Sequence, residues 1–300
     1  MFAGGARRAC GKGKIFQHAR VFGASTPLPR SAFLLLAGWL WLVRTVWAHE
    51  PDLTQVWKNL ADSQNTTAQA MLASLPPDGS RARLLATAVV QMAHQPVTEE
   101  MLRSAEADLV VVAQGDDEVA ALAGYLRARL YQVHFQKTDY TRAAELYREL
   151  ARRQPQNHWA RLGLMKLGLL TLFALPEPAE PVARLRAVEA LLPAIAEPAL
   201  QRDLNLQLGR AAVLYERPVE ETLVYLKAVD RVGGLVGLVA EDLVSQLGEL
   251  SLRAGRPADA KVYFQRFLRD FPTNNRSFNV EQKLARIAER EHAAGQGGGP

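Results

Sequence analysis

Six histidines, 31 acidic residues and a single cysteine are the groups in this 300-residue chain best suited to catalysis or metal binding. Their spacing supports neither. His18, His49, His94, His134, His158 and His292 stand too far apart for a helical metal pair, and no HExxH sequence occurs. His134 falls inside an expected helix and reads as a packed residue. His49 would chelate copper only as a new amino terminus. Copper oxygenases built that way use a β-sandwich with a second histidine, whereas this chain reads as helical. The acid pairs Glu99-Glu100, Asp116-Asp117 and Glu220-Glu221 are adjacent. Neighbours on a helix point about 100° apart, so such pairs do not converge on a substrate. In the first turn of a helix, Glu99, Glu100, Glu220 and Glu221 would complement its dipole. No GxSxG, phosphate-binding loop or GxGxxG is present, and Gly233-Gly234 with Gly237 reads as a turn. Asn65-Thr66-Thr67 fits a glycosylation sequon, relevant only in a eukaryotic secretory pathway. The expectation is a non-enzyme with no metal and no cofactor.

The formal net charge of +5 invites a nucleic-acid reading, but the basic residues are unevenly placed. Arg7, Arg8, Lys12, Lys14, Arg20, Arg30 and Arg44 all precede position 49, where no acid occurs; taking those seven from 36 leaves 29 basic residues against 31 acidic ones. A body of that balance has no electrostatic footprint for a phosphate backbone, so no nucleic-acid partner is expected. The basic leader precedes an apolar run, Ala32–Val43, and then Val46-Trp47-Ala48. Charged start, short apolar core and small residues at −3 and −1 describe a signal peptide at 1–48, cut after Ala48. Twelve apolar residues span about 18 Å as a helix, short of a bilayer core of roughly 30 Å. An uncleaved anchor and a mitochondrial-type presequence stay open as alternatives, and a membrane is a partner only if the leader stays on. Cys10 precedes the apolar run, whereas a lipoprotein cysteine follows it, so the cleaved chain would hold no thiol, disulfide or lipid anchor.

Behind the leader, abundant Ala, Leu, Arg, Glu and Gln favour helices. Loose 3.6-residue spacing predicts one helix over 53–74, a turn at Pro76-Pro77-Asp78-Gly79, and helices over 80–94 and 98–114. Thr98 is placed to cap the last of these, with Met101 at its third position. Residues 49–117 are thus either a cap or a degenerate repeat.

From about Asp117 the pattern becomes periodic. Residues 241–274 carry Leu247-Gly248, Gly255, Ala260, Phe264, Phe267 and Pro272. Residues 124–157 repeat Ala143, Tyr147 and Pro155 at the offsets of Ala260, Phe264 and Pro272, with Leu130 fitting and Tyr131 replacing the small residue. Residues 202–235 keep Leu208-Gly209, Tyr225 and Ala228, and residues 161–196 keep Leu167-Gly168 with Ala183, Ala187 and Ala190. Small residues let helices approach closely, an aromatic fills the space beside them, and proline stops the second helix.

This pattern resembles the tetratricopeptide repeat family over residues 118–291. The resemblance implies an all-α solenoid of stacked antiparallel helix pairs in a right-handed superhelix, whose concave face, lined by each first helix, binds peptides or proteins. It carries no activity. The Gly glycines at 168, 209 and 248 lie 41 and 39 residues apart, longer than the roughly 34 of the ideal repeat. Linkers such as Pro176-Glu177-Pro178 must absorb the excess. Residues 277–291 would close the stack through Phe278, Leu284, Ile287 and Ala288, leaving 292–300 as a disordered, Gly-rich tail.

Carried onto this chain, the concave positions of the family are Tyr125, Gln132 and Gln136, then Arg210, then Asp242, Ser245, Glu249 and Arg253. Their mixed signs suit a polar, mixed-charge ligand face. The expected function is a non-catalytic scaffold of the cell envelope that binds an unidentified protein or peptide. Alternatives are the helical accessory part of a cell-wall lytic enzyme, or a membrane-tethered assembly factor, mitochondrial among the options.

Overall fold

The computed structural model of the chain describes residues 53–296, with side chains described as far as residue 293. The leader, its cleavage site, Cys10, His49 and the end of the Gly-rich tail lie outside the described residues. Thirteen α-helices follow one another among the described residues, with no strand. They are α1 (Thr54–Ala61), α2 (Asn65–Ser74), α3 (Arg81–Ala93), α4 (Glu99–Val112), α5 (Glu118–Arg129), α6 (Tyr140–Arg153) and α7 (His158–Phe173). Next come α8 (Pro181–Glu189), α9 (Pro198–Leu214), α10 (Val219–Val232), α11 (Gly237–Arg253), α12 (Pro257–Asp270) and α13 (Ser277–Gln296).

Helix starts follow local chemistry. Thr98 Oγ1 accepts the Met101 N–H at 3.2 Å, Asp117 accepts from Ala120 at 2.9 Å, and Asp139 accepts from Arg142 at 2.8 Å. Each side chain satisfies a donor that has no partner inside its helix. The expected single helix over 53–74 is two. It breaks at Asp62-Ser63-Gln64, where Ser63 adopts φ +59°, and this lets Val56 and Leu72 bury on one small core with Ala86. Loose periodicity hid that break, because an apolar residue on each arm satisfied the 3.6-residue count.

Consecutive helices pack as neighbours, α5 on α6, α7 on α8, α9 on α10 and α11 on α12, and α13 lies against α12. The close approach behind this pairing is visible at two glycines. A methyl group on Gly248 would collide with the Phe264 ring, and one on Gly209 would lie 2.6 Å from Leu226. Phe264, Phe267, Leu208, Leu247 and Tyr147 are wholly buried, as are Ala143 and Ala260. Pro155 and Pro272 sit exposed just beyond the second helices, and Gly255 takes φ +69° in the turn between α11 and α12. That backbone conformation suits glycine.

Three local expectations are corrected. In α8 the core side is Leu185 and Val188, while Ala187 and Ala190 are exposed. This helix is short, and Arg184 instead caps the end of α7, donating to Thr171 O at 2.8 Å and Leu175 O at 2.7 Å. The closing helix uses Val280 and Ile287, with Leu284 half-buried; Phe278 is 67% exposed and Ala288 also faces solvent. Packing on α12 fixes a stripe that excludes position 278 in the first turn. Finally, α13 continues to Gln296, past the expected end at 291. Ala293 and Ala294 are good helix formers and carry it onward.

Candidate interaction surface

The first helices α5, α7 and α9 pack side by side, so their outward stripes form one continuous face. α5 ends irregularly: Leu130–His134 forms a π turn, closed by the Phe135 N–H donating to Leu130 O at 3.0 Å. This wide turn lies where Tyr131 replaces the small residue of the other units. The Tyr131 ring is too large for the close-packed position. It turns aside, meeting the Phe135 ring at 5.1 Å and donating its hydroxyl to Glu106.

The wide turn also rotates Gln132 inward. Gln132 is 5% exposed, and its Oε1 accepts the Tyr147 hydroxyl at 2.7 Å and Arg129 Nη1 at 2.8 Å. Burial pushes the Tyr147 phenol well above its ordinary range, so it stays a neutral donor. Tyr125 is 8% exposed and packs against the Tyr147 and Trp159 rings at 6.0 and 5.5 Å. Tyr125 and Gln132, placed on the ligand face by the family resemblance, are therefore core residues. The cause is the π turn together with the aromatic cluster beneath it.

The remaining expected face residues divide in two. Gln136, Arg210 and Arg253 are exposed. Asp242, Ser245 and Glu249 are half-buried, and both acids are occupied by the closing segment: Arg276 Nη1 lies 2.9 Å from Asp242, and Lys283 pairs with Glu249. The end of the stack is thus zipped shut by ion pairs rather than held open.

Register picks out side chains that the family pattern passed over. The residues directly before Leu167-Gly168, Leu208-Gly209 and Leu247-Gly248 are Lys166, Gln207 and Gln246, and Arg129 precedes Leu130 in the same way. Gln207 Nε2 approaches Met165 Sδ at 2.9 Å, which ties this position of α9 to α7. Burial and then the neighbouring Arg129 hold the Lys166 amine below the usual lysine range, with Asp203 opposing. Burial and Arg129 likewise hold the His134 imidazole below its ordinary value. Seven residues beyond Lys166 and Gln207, on the same helical stripe, stand Phe173 and Leu214, 43% and 64% exposed. Their helix ends are joined, since the Tyr215 hydroxyl donates to Leu172 O.

Nothing in this arrangement resembles a catalytic constellation. Among the described residues no three His, Cys, Asp or Glu side chains gather as a metal site. No helix among the described residues is long and apolar enough to cross a membrane. On the side of the second helices, Val182, Leu185, Val224 and Tyr225 help line a cleft of about 280 Å³. Its charges are largely matched internally, with Arg217 on Glu221 at 3.0 Å and the Tyr225 hydroxyl on Glu189 at 2.6 Å.

Known structures share this arrangement of helices. The crystal structure of PilW, described as a widely conserved type IV pilus biogenesis factor, superposes with TM-score 0.52 at 12% identity, covering 76% of this chain and 95% of that one. The fold is a tetratricopeptide-like stack of helix pairs. The Pseudomonas aeruginosa pilF structure gives TM-score 0.49 at 17% identity, over 77% of this chain and 95% of that one. At these identities the likeness is one of fold. No protein-family model and no curated protein sequence matches the chain.

Proposed function

We propose that this chain is a non-catalytic scaffold, exported to the cell envelope, that holds a protein partner on the face made by α5, α7 and α9. One observation carries the reading: packed first helices leave Phe173 and Leu214 exposed beside the exposed Arg210 on a single face. Grouped apolar exposure with a polar border is the surface signature of a protein interaction site. The acid pairs Glu99-Glu100 and Glu220-Glu221 stand in the first turns of α4 and α10, where they complement the helix dipole. The basic leader with its apolar run supports export, and the fold neighbour PilW, a pilus biogenesis factor by description, supports an assembly role. In this reading residues 53–112 form two further helix pairs that extend the stack at its N-terminal end.

The test is recovery of a partner from envelope extract with the tagged full-length chain, beside an Arg210→Glu/Leu214→Glu variant. A protein retained by the native chain and lost by the variant is the expected result. Recovery of the same proteins by both would overturn the placement of the face. A native amino terminus at His49 would agree with export through a cleaved leader, and an intact Met1 would exclude that cleavage.

A further inference from the structure

The turn from α10 into α11 shows water an unusually apolar tip. Residues Val232–Ala240 carry no polar side chain: three are glycine and six aliphatic. Val236 is 82% exposed and Leu238 73%, the two highest values among the exposed large apolar side chains of the described residues, and Val232 adds 43%. The chain reverses through Gly233, Gly234 and Gly237, at φ +71°, +75° and +58°, a backbone that side chains with a Cβ rarely adopt. This shape is held from behind. Arg202 Nη1 donates to Gly233 O at 2.9 Å, the Gly233 N–H donates to Val229 O at 3.1 Å, and Leu235 packs on the core of Leu223, Leu226 and Leu243. With Leu235 turned inward, Val236 and Leu238 are left projecting. An apolar group displayed in this way marks contact with a protein or with lipid.

Side-chain chemistry and charge favour lipid. Protein interfaces concentrate aromatic residues and methionine at their centres, and this tip has only Val, Leu, Ala and Gly. The acids on its flanks are already engaged: Asp230 by Arg266 at 2.7 Å, Asp242 by Arg276 at 2.9 Å, and Glu241 by the Asn274 amide. Arg231 is exposed, and among the described residues no carboxylate lies within ion-pair distance of it. The free charge beside the tip is therefore positive, which suits anionic headgroups. We infer that Val232, Val236 and Leu238 enter the headgroup boundary of an anionic phospholipid surface, with Arg231 against the phosphates. Val236 precedes α11 and has no side-chain oxygen to offer the first N–H groups of that helix. Those groups need water or headgroup oxygens, so the contact is shallow. It belongs to the folded part and needs no membrane-spanning helix. It is also separate from the partner face, whose exposed Leu214 ends α9 while Arg202, near the start of α9, holds the turn.

The experiment places a polarity-sensitive fluorophore on the full-length chain through Leu238→Cys or, as a comparison, Leu214→Cys, each with Cys10→Ser. Leu214 is 64% exposed and stands about 18 Å further along α9 than Arg202. Vesicles contain equal parts phosphatidylglycerol and phosphatidylcholine, or phosphatidylcholine alone, with a doxyl quencher near the headgroup or at the chain end. The leader is present in every arm, so a difference between the two labels comes from the folded part. On the anionic vesicles the label at 238 should shift to the blue and be quenched more by the headgroup-proximal doxyl than by the chain-end one. The label at 214 should report water throughout. Val236→Ser or Arg231→Gln should lower the quenching at 238 at least twofold, and so should added salt. Both side chains are exposed, so neither change should move the thermal midpoint. Equal quenching at 238 and 214, or equal quenching at 238 on the neutral vesicles, would overturn the inference. So would a label at 238 that stays in water on every vesicle yet is shielded by envelope extract, since that outcome assigns the tip to a protein.

Discussion

The pair α11/α12 and the pair α5/α6 have the two best sequence matches to the repeat, yet they end in opposite states. In α11/α12 every pattern residue takes its packing place: Gly248 abuts Phe264, Ala260 and Phe267 are buried, and the polar stripe of α11 is answered by Arg276 and Lys283. In α5/α6 the small residue is replaced by Tyr131, the helix opens into a π turn, and Gln132 drops into the core. Among the described residues Arg129 is answered by the neutral Gln132 Oε1, at 2.8 Å, and not by a carboxylate. The regular pair spends its polar side chains on closing the stack, and the irregular one leaves charge unanswered. π turns occur often at functional sites, and departure from the repeat is the more informative signal here.

The contrast can be broken most forcefully at Phe264. Phe264→Ala removes a wholly buried ring from the regular pair and should cost about 3–5 kcal/mol in chemical denaturation, enough to unfold the C-terminal end. A loss under 1 kcal/mol would mean the ring is not the keystone of that pair. Gly248→Ala probes the same contact from the opposite helix. Overpacking of about 1–3 kcal/mol should exceed the roughly 1 kcal/mol that alanine contributes as a helix former, giving net destabilisation. In the irregular pair, Tyr147→Phe removes one buried hydrogen bond to Gln132 and should cost about 1 kcal/mol. Gln132 keeps Arg129 in that variant, so a much larger loss would show the π turn to depend on the hydroxyl.

The smallest effect is expected where the pairs are stapled from outside. Burial raises the Glu197 carboxyl pKa, but the hydrogen bond and charge of Arg161 outweigh it and hold the group below its ordinary value. A depressed carboxylate stabilises the folded chain fully above its unfolded pKa, and that contribution is lost as pH falls through the folded value. Thermal midpoints of the native chain and Arg161→Gln should therefore differ near pH 6 and converge toward pH 3. For a partly exposed pair the difference is about 0.5–1 kcal/mol. A difference that persists unchanged at low pH would show that Arg161 acts through packing alone.

How much was legible in the sequence follows the same division. The Leu-Gly pairs, Ala260, Phe264 and Pro272 gave the helix pairing because close approach of two helices admits few residue types at those positions. The break at Ser63 was hidden, since a short turn between two amphipathic arms leaves the apolar count intact. Gln132 was misplaced because the family positions assume a regular first helix and the π turn shifts it around the axis, and Tyr125 because the Tyr147 and Trp159 rings draw it into the core. Asp242 and Glu249 are half-buried on α11, and their pairing with the closing segment depends on how that segment lies against α11. The useful signal was register: the residue before Leu167-Gly168 is Lys166, and a seven-residue step from it gives Phe173. Neither requires the fold to be known.

The central claim is that a partner seats on the first-helix face rather than on the second-helix side. A photoreactive benzophenone residue placed at position 173, and in a separate chain at position 224 on exposed α10, tests it directly in cells. The account predicts a discrete crosslinked protein from position 173 and none from position 224. A crosslink from position 224 with none from position 173 would contradict it.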